Sequence, residues 1–239
     1  MLGATFPAVS AFARTPLAWS YDGPAGPDHW GDVAQEYAVC NTGLRQSPID
    51  LANAAPAAAP PFTLRYRPSP VALETDGRLL RALVGGENML LTDKRAYRLT
   101  DLRFHHPSEH LLAGKRFPLE IQFTHRSAEG FIAMLAVLVH AGQGNAALGA
   151  LWPRFPVPEE HLAIKGLVDL TALLPRARLA FRYSGSQSVP PCSEMVDWTV
   201  FQQRIEASVT QLEDFAAAYP ANARPVQERK GRPIFLDLF

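Results

Sequence analysis

The stretch that most constrains the fold covers residues 102–125, L-R-F-H-H-P-S-E-H-L-L-A-G-K-R-F-P-L-E-I-Q-F-T-H. It contains four of the seven histidines, and its two alternating segments predict two strands joined by a turn at residues 113–115. A total of 21 prolines and 16 glycines in 239 residues likewise favours many short strands over a helical bundle. The sequence therefore predicts a sheet protein built around this strand pair.

Polar residues are expected to share one face of the strand pair. Side chains alternate along a strand, so Arg103 and His105 point to the same side of the first strand. On the second strand, Glu120, Gln122 and Thr124 share a face in the same way. A metal site on such a frame needs several histidines facing one another, and only one histidine occupies this face.

The motifs of this stretch resemble a known family. P-S-E-H at 107–110, followed by L-E-I-Q-F-T-H at 119–125, is similar to the zinc-site core of the α-class carbonic anhydrases. Four more stretches resemble family motifs in the same order: 19–31, 39–51, 183–198 and 222–227. The resemblance implies one domain over residues 14–239. Its expected fold is mainly β, with a large, twisted, mostly antiparallel sheet of about ten strands and short surface helices.

Two of the family's three zinc-ligand positions carry residues that suit zinc poorly. The inward histidines of the family fall on Arg103, His105 and Gln122. An arginine has no lone pair to offer, and a glutamine amide is a weak zinc ligand. The chain thus resembles the acatalytic carbonic-anhydrase-related proteins. We expect a vestigial zinc site without a cofactor, and zinc only if the protein is an enzyme.

The resemblance also implies roles for residues around the former site. Arg78 falls at the position of the proton-shuttle histidine, and an arginine does not relay protons near neutral pH. Ser188 and Glu109 fall on the hydroxyl and carboxylate that orient the zinc-bound hydroxide, and Glu120 lies behind the ligands. The pocket wall is expected to contain Phe123, Val137, Gln187, Val189 and Trp198.

Arg103 is expected to replace the missing cation. Without a metal, the carboxylates of this region would be buried charges, which is unfavourable unless they are paired. The planar guanidinium of Arg103 suits a carboxylate, so we expect it to bond to Glu120, Glu109 or Gln122.

The two cysteines and the N-terminus bear on the compartment. Cys40 and Cys192 fall where many secreted family members have a disulfide, although two buried thiols in a cytosolic protein are the alternative. Residues 1–13 are apolar and end in Ala-Phe-Ala, which is typical of a signal-peptide remnant, or else they form a disordered arm. Together these features predict a periplasmic or secreted protein.

Composition excludes several functional classes. The formal net charge is zero, so nothing indicates a nucleic-acid partner, and no apolar run is long enough for a transmembrane helix.

Local patterns predict a buried strand over residues 130–142 and helices over 159–174 and 208–219.

Three functions are compatible with this sequence. The first is an acatalytic binding or assembly module, with a protein or glycan partner as in related acatalytic domains. The second is carbon dioxide hydration or ester hydrolysis through an unusual metal set, His105 with Glu109, Glu120 or Gln122. The third is a pocket for a small anion that Arg103 would bind.

Overall fold

The computed structural model describes residues 19–58, 61–92 and 94–237. The predicted signal remnant at 1–13 lies outside these residues. Within them the chain forms thirteen strands and four α-helices with several short 3-10 turns. The strands are β1 Ala55–Ala57, β2 Phe62–Arg65, β3 Val71–Thr75, β4 Leu80–Val84, β5 Met89–Thr92, β6 Ala96–His105, β7 Leu119–Ser127, β8 Ile132–Ala141, β9 Leu162–Ala163, β10 Ala180–Ser186, β11 Glu194–Phe201, β12 Ile205–Ala207 and β13 Phe235–Asp237. The helices are α1 Trp30–Val33, α2 Val39–Thr42, α3 Ala146–Leu151 and α4 Val209–Ala218.

One large mixed sheet contains all of these strands. Its order is β1-β13-β10-β11-β8-β7-β6-β4-β3-β9, with β12 on β8, and with β5 joining β2 to β6. The pairings β1/β13, β8/β11 and β8/β12 are parallel, and the other pairings between described strands are antiparallel. The predicted mainly-β class with short helices is confirmed. No helix in the described part of the chain is long and apolar enough to cross a membrane.

Strands β6 and β7 form the predicted central pair. Arg103 lies opposite Gln122, and His105 lies opposite Glu120, so these four side chains share one face of the sheet. The connection between the strands turns at Ala113 and Gly114, both with left-handed φ angles of 49° and 77°.

The other face of this pair carries the main hydrophobic core. Phe104, Ile121 and Phe123 pack there with Leu135 and Val137 of β8, and each is at most 1% exposed. Phe123 and Val137 therefore belong to the core and not to the pocket wall, which corrects two of the predicted wall positions. The reason is strand alternation, because each is one residue out of phase with the pocket face.

The local predictions had different outcomes. Strand β8 confirms the buried strand, and α4 confirms the helix near the C-terminus, with Ser208 and Gln211 forming a reciprocal capping box. The prediction of a helix over residues 159–174 was wrong. That segment contains the short strand β9, which pairs with β3, and a single 3-10 turn from Leu170 to Leu173. Gly166, with φ 85°, interrupts any continuous helix between them.

The predicted disulfide joins Cys40 to Cys192 and spans 152 residues of sequence. Both cysteines are buried against Trp30. The bond ties α2 to the loop between β10 and β11, which carries Ser188 and Val189.

Candidate functional site

A cavity of about 380 Å³, here called the cone, opens beside Arg103 on the polar face of β6 and is also lined by Glu74 of β3 and Arg81 of β4. Its lining includes Trp19, Arg103, Gln187 and Val189, so two of the predicted wall residues do face it. Trp198 lies on the same side of the sheet but is 1% exposed, packed at a ring distance of 4.8 Å from His110. Trp198 is not among the residues that line the cone, which corrects a third predicted wall position.

His105 is held in the orientation of a ligand. It is fully buried, and its Nδ1 lies 2.9 Å from the carbonyl oxygen of Asn222 and 3.4 Å from a Glu109 oxygen. A carbonyl oxygen only accepts, so Nδ1 carries a proton, and Nε2 is the ring nitrogen that can offer a lone pair to a ligand or metal. That Nε2 has no hydrogen-bond partner in the protein.

Asn222 positions this histidine, and sequence reasoning missed its role. Its side-chain nitrogen donates to the carbonyl oxygens of Phe104 and Arg78, and its side-chain oxygen accepts from the backbone N–H of His106. In the sequence, Asn222 begins the N-A-R-P-V-Q stretch at 222–227, which indicated the fold but not the role of this side chain.

Gln122 occupies a ligand position as a bridge between two carboxylates. Its Nε2 donates to Glu109 at 2.7 Å and to Glu120 at 2.9 Å. Because both partners accept only, the amide nitrogen must face them, and the Gln122 Oε1 points away without a partner.

The predicted pair of Ser188 with Glu109 is absent. One Glu109 oxygen accepts from Gln122, and the other accepts from the backbone N–H of Arg224 at 3.0 Å. The buried Ser188 Oγ consequently has no hydrogen-bond partner. Competition from the Gln122 amide explains this difference from the expectation.

Glu120 is fixed from behind by His110. The backbone N–H and the Nδ1 of His110 each lie 2.8 Å from a Glu120 oxygen, and its Nε2 lies 2.6 Å from the hydroxyl of Tyr183. Burial alone raises the pKa of Glu120, but the charge and hydrogen bonds of His110, with a bond from Gln122, lower it to about 2. Glu120 is thus an ionised carboxylate whose two oxygens accept hydrogen bonds from His110 and Gln122.

Arg103 is paired, but with a different carboxylate from those expected. Its Nε donates to Asp101 Oδ1 at 2.9 Å, and Arg81 lies 3.6 Å from the same oxygen. Burial raises the pKa of Asp101, but the charges of Arg103 and Arg81 lower it further, to below its usual value. Arg103 bonds to neither Glu109, Glu120 nor Gln122, because those groups already satisfy one another and Asp101 lies two residues away on the same face. The i, i+2 spacing of Asp101 was the signal that could have found this pair.

The mouth of the cone contains the proton-shuttle position. Arg78 there forms an ion pair with Asp76 at 2.6 Å, and its guanidinium lies 4.5 Å from the ring of Trp19.

Tyr21, which sequence reasoning missed, has a buried hydroxyl without a partner. Burial raises its pKa well above the usual value, and Glu109 and Arg103 are close enough to influence it. The aromatic opening motif at 19–31 was its only signal.

The donor set does not fit a three-histidine zinc site. Zinc sites in proteins use three or four nitrogen, sulfur or carboxylate ligands, whereas this place presents His105 Nε2 and the neutral Gln122 Oε1. In the third position stands Arg103, which remains positively charged. Among the residues that the structure describes, no group of three His, Cys, Asp or Glu side chains could hold a metal ion.

Comparison with known proteins identifies the fold family. The family model for eukaryotic-type carbonic anhydrase matches residues 25–237. A carbonic anhydrase of Pectobacterium atrosepticum is 33% identical over 98% of this chain and 96% of its own length. The α-carbonic anhydrase of Thermovibrio ammonificans, solved with the inhibitor sulfanilamide, is 36% identical, with a TM-score of 0.89 over 92% of this chain and all of its own. Dioscorin, solved with ascorbate, is 29% identical, with a TM-score of 0.83 over 91% of this chain and 97% of its own. The chain therefore belongs to the α-class carbonic anhydrase family.

Proposed function

We propose that this family member has lost zinc-hydroxide chemistry and acts as a binding module through its cone. The observation that carries the proposal is the ion pair of Arg103 with Asp101 at a former ligand position. Both partners are buried, so the ion pair holds the positive charge of Arg103 on the cone face.

A divalent cation beside Arg103 would be strongly disfavoured. Two like unit charges about 4 Å apart repel by about 4 kcal/mol at an effective dielectric constant of about 20, and a dication doubles this, although the paired Asp101 carboxylate offsets part of the repulsion. Gln122 adds no compensating negative charge, and its amide nitrogen is already bonded to Glu109 and Glu120. Zinc lowers the pKa of its bound water to about 7, and these residues offer no substitute for that effect.

The cone nevertheless offers binding contacts. Its lining presents the polar side chains of Arg103 and Gln187. His105 Nε2, Gln122 Oε1 and Ser188 Oγ do not belong to this lining; they are buried polar atoms without protein partners, so a ligand or water that reached them would satisfy groups that are otherwise unfavourable. The complex of dioscorin with ascorbate supports a small organic molecule in a protein of this fold. A protein or glycan partner stays a prediction that rests on the resemblance to acatalytic family members.

The second candidate function is carbonic anhydrase activity with an unusual metal set. Two observations favour it: its relatives are named carbonic anhydrases, and His105 keeps a free lone pair in the orientation of a ligand. The names of the relatives favour this candidate, whereas the chemistry of Arg103 and Gln122 favours the first.

Metal analysis together with a carbon dioxide hydration assay separates the two candidates. Purified from zinc-supplemented medium, the natural protein is expected to hold well under one zinc per chain and to accelerate hydration no more than buffer does. The double variant Arg103→His with Gln122→His is expected to approach one zinc per chain and to gain measurable hydration. Adding His105→Ala to the double variant is the control and should remove both. One firmly held zinc in the natural protein, with hydration activity, would establish the second candidate.

We also propose a periplasmic or secreted location. The disulfide supports it, because such bonds persist in oxidising compartments and are rare in the cytosol. Cell fractionation tests it: recovery of the oxidised protein only from the cytosolic fraction would refute the proposal.

A further inference from the structure

A second and larger cavity lies on the opposite side of the sheet from the cone. Its volume is about 470 Å³, within the usual range for small-molecule sites, and none of its lining residues also lines the cone. Its floor is formed by small side chains of β8, β10 and β11, namely Ala133, Ser184 and Thr199, together with Asp197. Ser184 lies opposite Asp197, and Asp197 lies beside Ala133, so these side chains form one row on the sheet. We call this cavity the basic groove.

The groove combines an apolar wall with cationic groups. Phe62, Leu90, Tyr97 and Phe235 supply apolar surface. Five cationic side chains line the groove, against one carboxylate, Asp197, among the lining residues that the structure describes: Arg45, Lys94, Arg95, Arg182 and Arg232. A concave apolar surface with a few fixed charged groups is the usual form of a ligand pocket.

Several of these cations are held in place by the protein. The guanidinium of Arg95 lies 3.9 Å from the ring of Phe131, and that of Arg182 lies 4.9 Å from Phe62 while pairing with Asp237 at 2.9 Å. Arg232 donates to the carbonyl oxygen of Gln46 at 2.8 Å. Cations that are already ordered lose little conformational entropy when an anion binds.

The rim of the groove is open to solvent, since the side chains of Arg45, Lys94 and Asp197 are all exposed. Partial burial is still the main influence on Asp197 and raises the pKa of its carboxyl, despite the opposing charges of nearby cations, of which Arg95 acts most strongly.

We propose that the basic groove binds an organic anion with a compact apolar body, of the class of aromatic carboxylates. The apolar body would lie on the floor and against the aromatic wall, and the carboxylate would bond to Arg95 and Arg45 at the rim. This site is independent of the cone and of the proposed loss of zinc chemistry.

Calorimetric titration with 2-naphthoate tests the proposal, and 2-naphthalenemethanol serves as the uncharged probe. Naphthoate is expected to bind at least about tenfold more tightly than the alcohol, because only the carboxylate forms charge-assisted hydrogen bonds with the guanidinium groups. Arg95→Gln should weaken naphthoate binding about tenfold for the same reason. Arg204→Gln is the matched control, because the guanidinium of Arg204 also lies over a phenylalanine ring, Phe117 at 5.4 Å, but outside the groove.

Two filling variants locate the probe. Ser184→Phe should abolish binding by occupying the groove floor, and Gln187→Trp, which fills the cone instead, should leave binding unchanged. The proposal is overturned if naphthoate does not bind at millimolar concentration, or if the alcohol binds equally well. It is also overturned if Arg204→Gln matches Arg95→Gln, or if only Gln187→Trp removes binding.

Discussion

On the core face of strands β6 and β7, Phe104 and Phe123 are buried among apolar neighbours, whereas one residue away along each strand Arg103 and Gln122 are buried among carboxylates. Side chains on the core face are stabilised by apolar burial, which has no preferred direction. The cone face satisfies its residues by directed bonds, each of which needs a partner of the right kind.

This difference shows where the protein has room for function. In the core cluster every side chain contacts others of the same nature, and a ligand would have to displace them. On the cone face, His105, Gln122 and Ser188 each keep one buried polar atom without a protein partner. Such atoms are unfavourable in a structure unless water or a ligand bonds to them.

The largest effect is expected from breaking the core face. Phe104→Ala removes a fully buried ring that packs edge-on against Trp152 at 5.1 Å, and it should lower the free energy of unfolding by about 4 kcal/mol. Denaturant titration measures the change, and Phe104→Leu should lose much less because it conserves more of the volume. A loss below about 1.5 kcal/mol for Phe104→Ala would mean that this face is not the main stabilising region.

Removing the disulfide tests the link between the N-terminal region and the loop that carries Ser188. Cys40→Ser with Cys192→Ser should lower stability by about 3 kcal/mol, because the bond constrains a long loop in the unfolded chain. The melting temperature of the reduced natural protein should fall by several degrees as well. Detection of two free thiols in the denatured, unreduced protein would contradict the bond itself.

Arg103→Ala tests the directed bonds of the cone face. Without Arg103, the buried carboxylate of Asp101 keeps only the more distant Arg81, and we expect a loss of about 2 kcal/mol. Arg98→Ala, an exposed arginine on the same strand, is the control and should leave the melting temperature nearly unchanged.

The pH dependence of the Arg103→Ala effect carries a definite sign. In the natural protein, the pKa of Asp101 is lowered on folding, so the contribution of the pair is present above about pH 4, the usual pKa of an aspartate. It is lost as the pH falls through the lower pKa of the folded state. The stability difference between the variant and the natural protein should therefore shrink on acidification, and a difference that grows would contradict the ion pair.

The smallest effect is expected at Ser188. Because its buried hydroxyl has no partner in the protein, Ser188→Ala should change the free energy of unfolding by less than about 0.5 kcal/mol. Ser47→Ala is the comparison, since the Ser47 hydroxyl accepts from Tyr183 and from the backbone of Ser186 and its loss should be clearly destabilising. A large loss at Ser188 would show that an unseen partner, such as an ordered water, satisfies this hydroxyl.

Much of the architecture followed from the sequence. The alternation in residues 102–125 predicted the central strands and the face shared by Arg103, His105 and Gln122. The order of motifs predicted the family and the pairing of Cys40 with Cys192. These features depend on local periodicity or on a pattern shared by a whole family, and both can be read along the chain.

Only the tertiary structure decided which groups pair on the cone face. Arg103 bonds to Asp101, and Gln122 rather than Ser188 bonds to Glu109. Several candidate partners lie within reach of each group, and a hydrogen bond to one of them leaves the others without a bond to that group. The helical spacing over 159–174 failed for a similar reason, since pairing of Leu162 with β3 outweighs local helix propensity. Competition among partners in three dimensions decides the chemistry of this site. Sequence spacing does not show which partner a side chain will bond to.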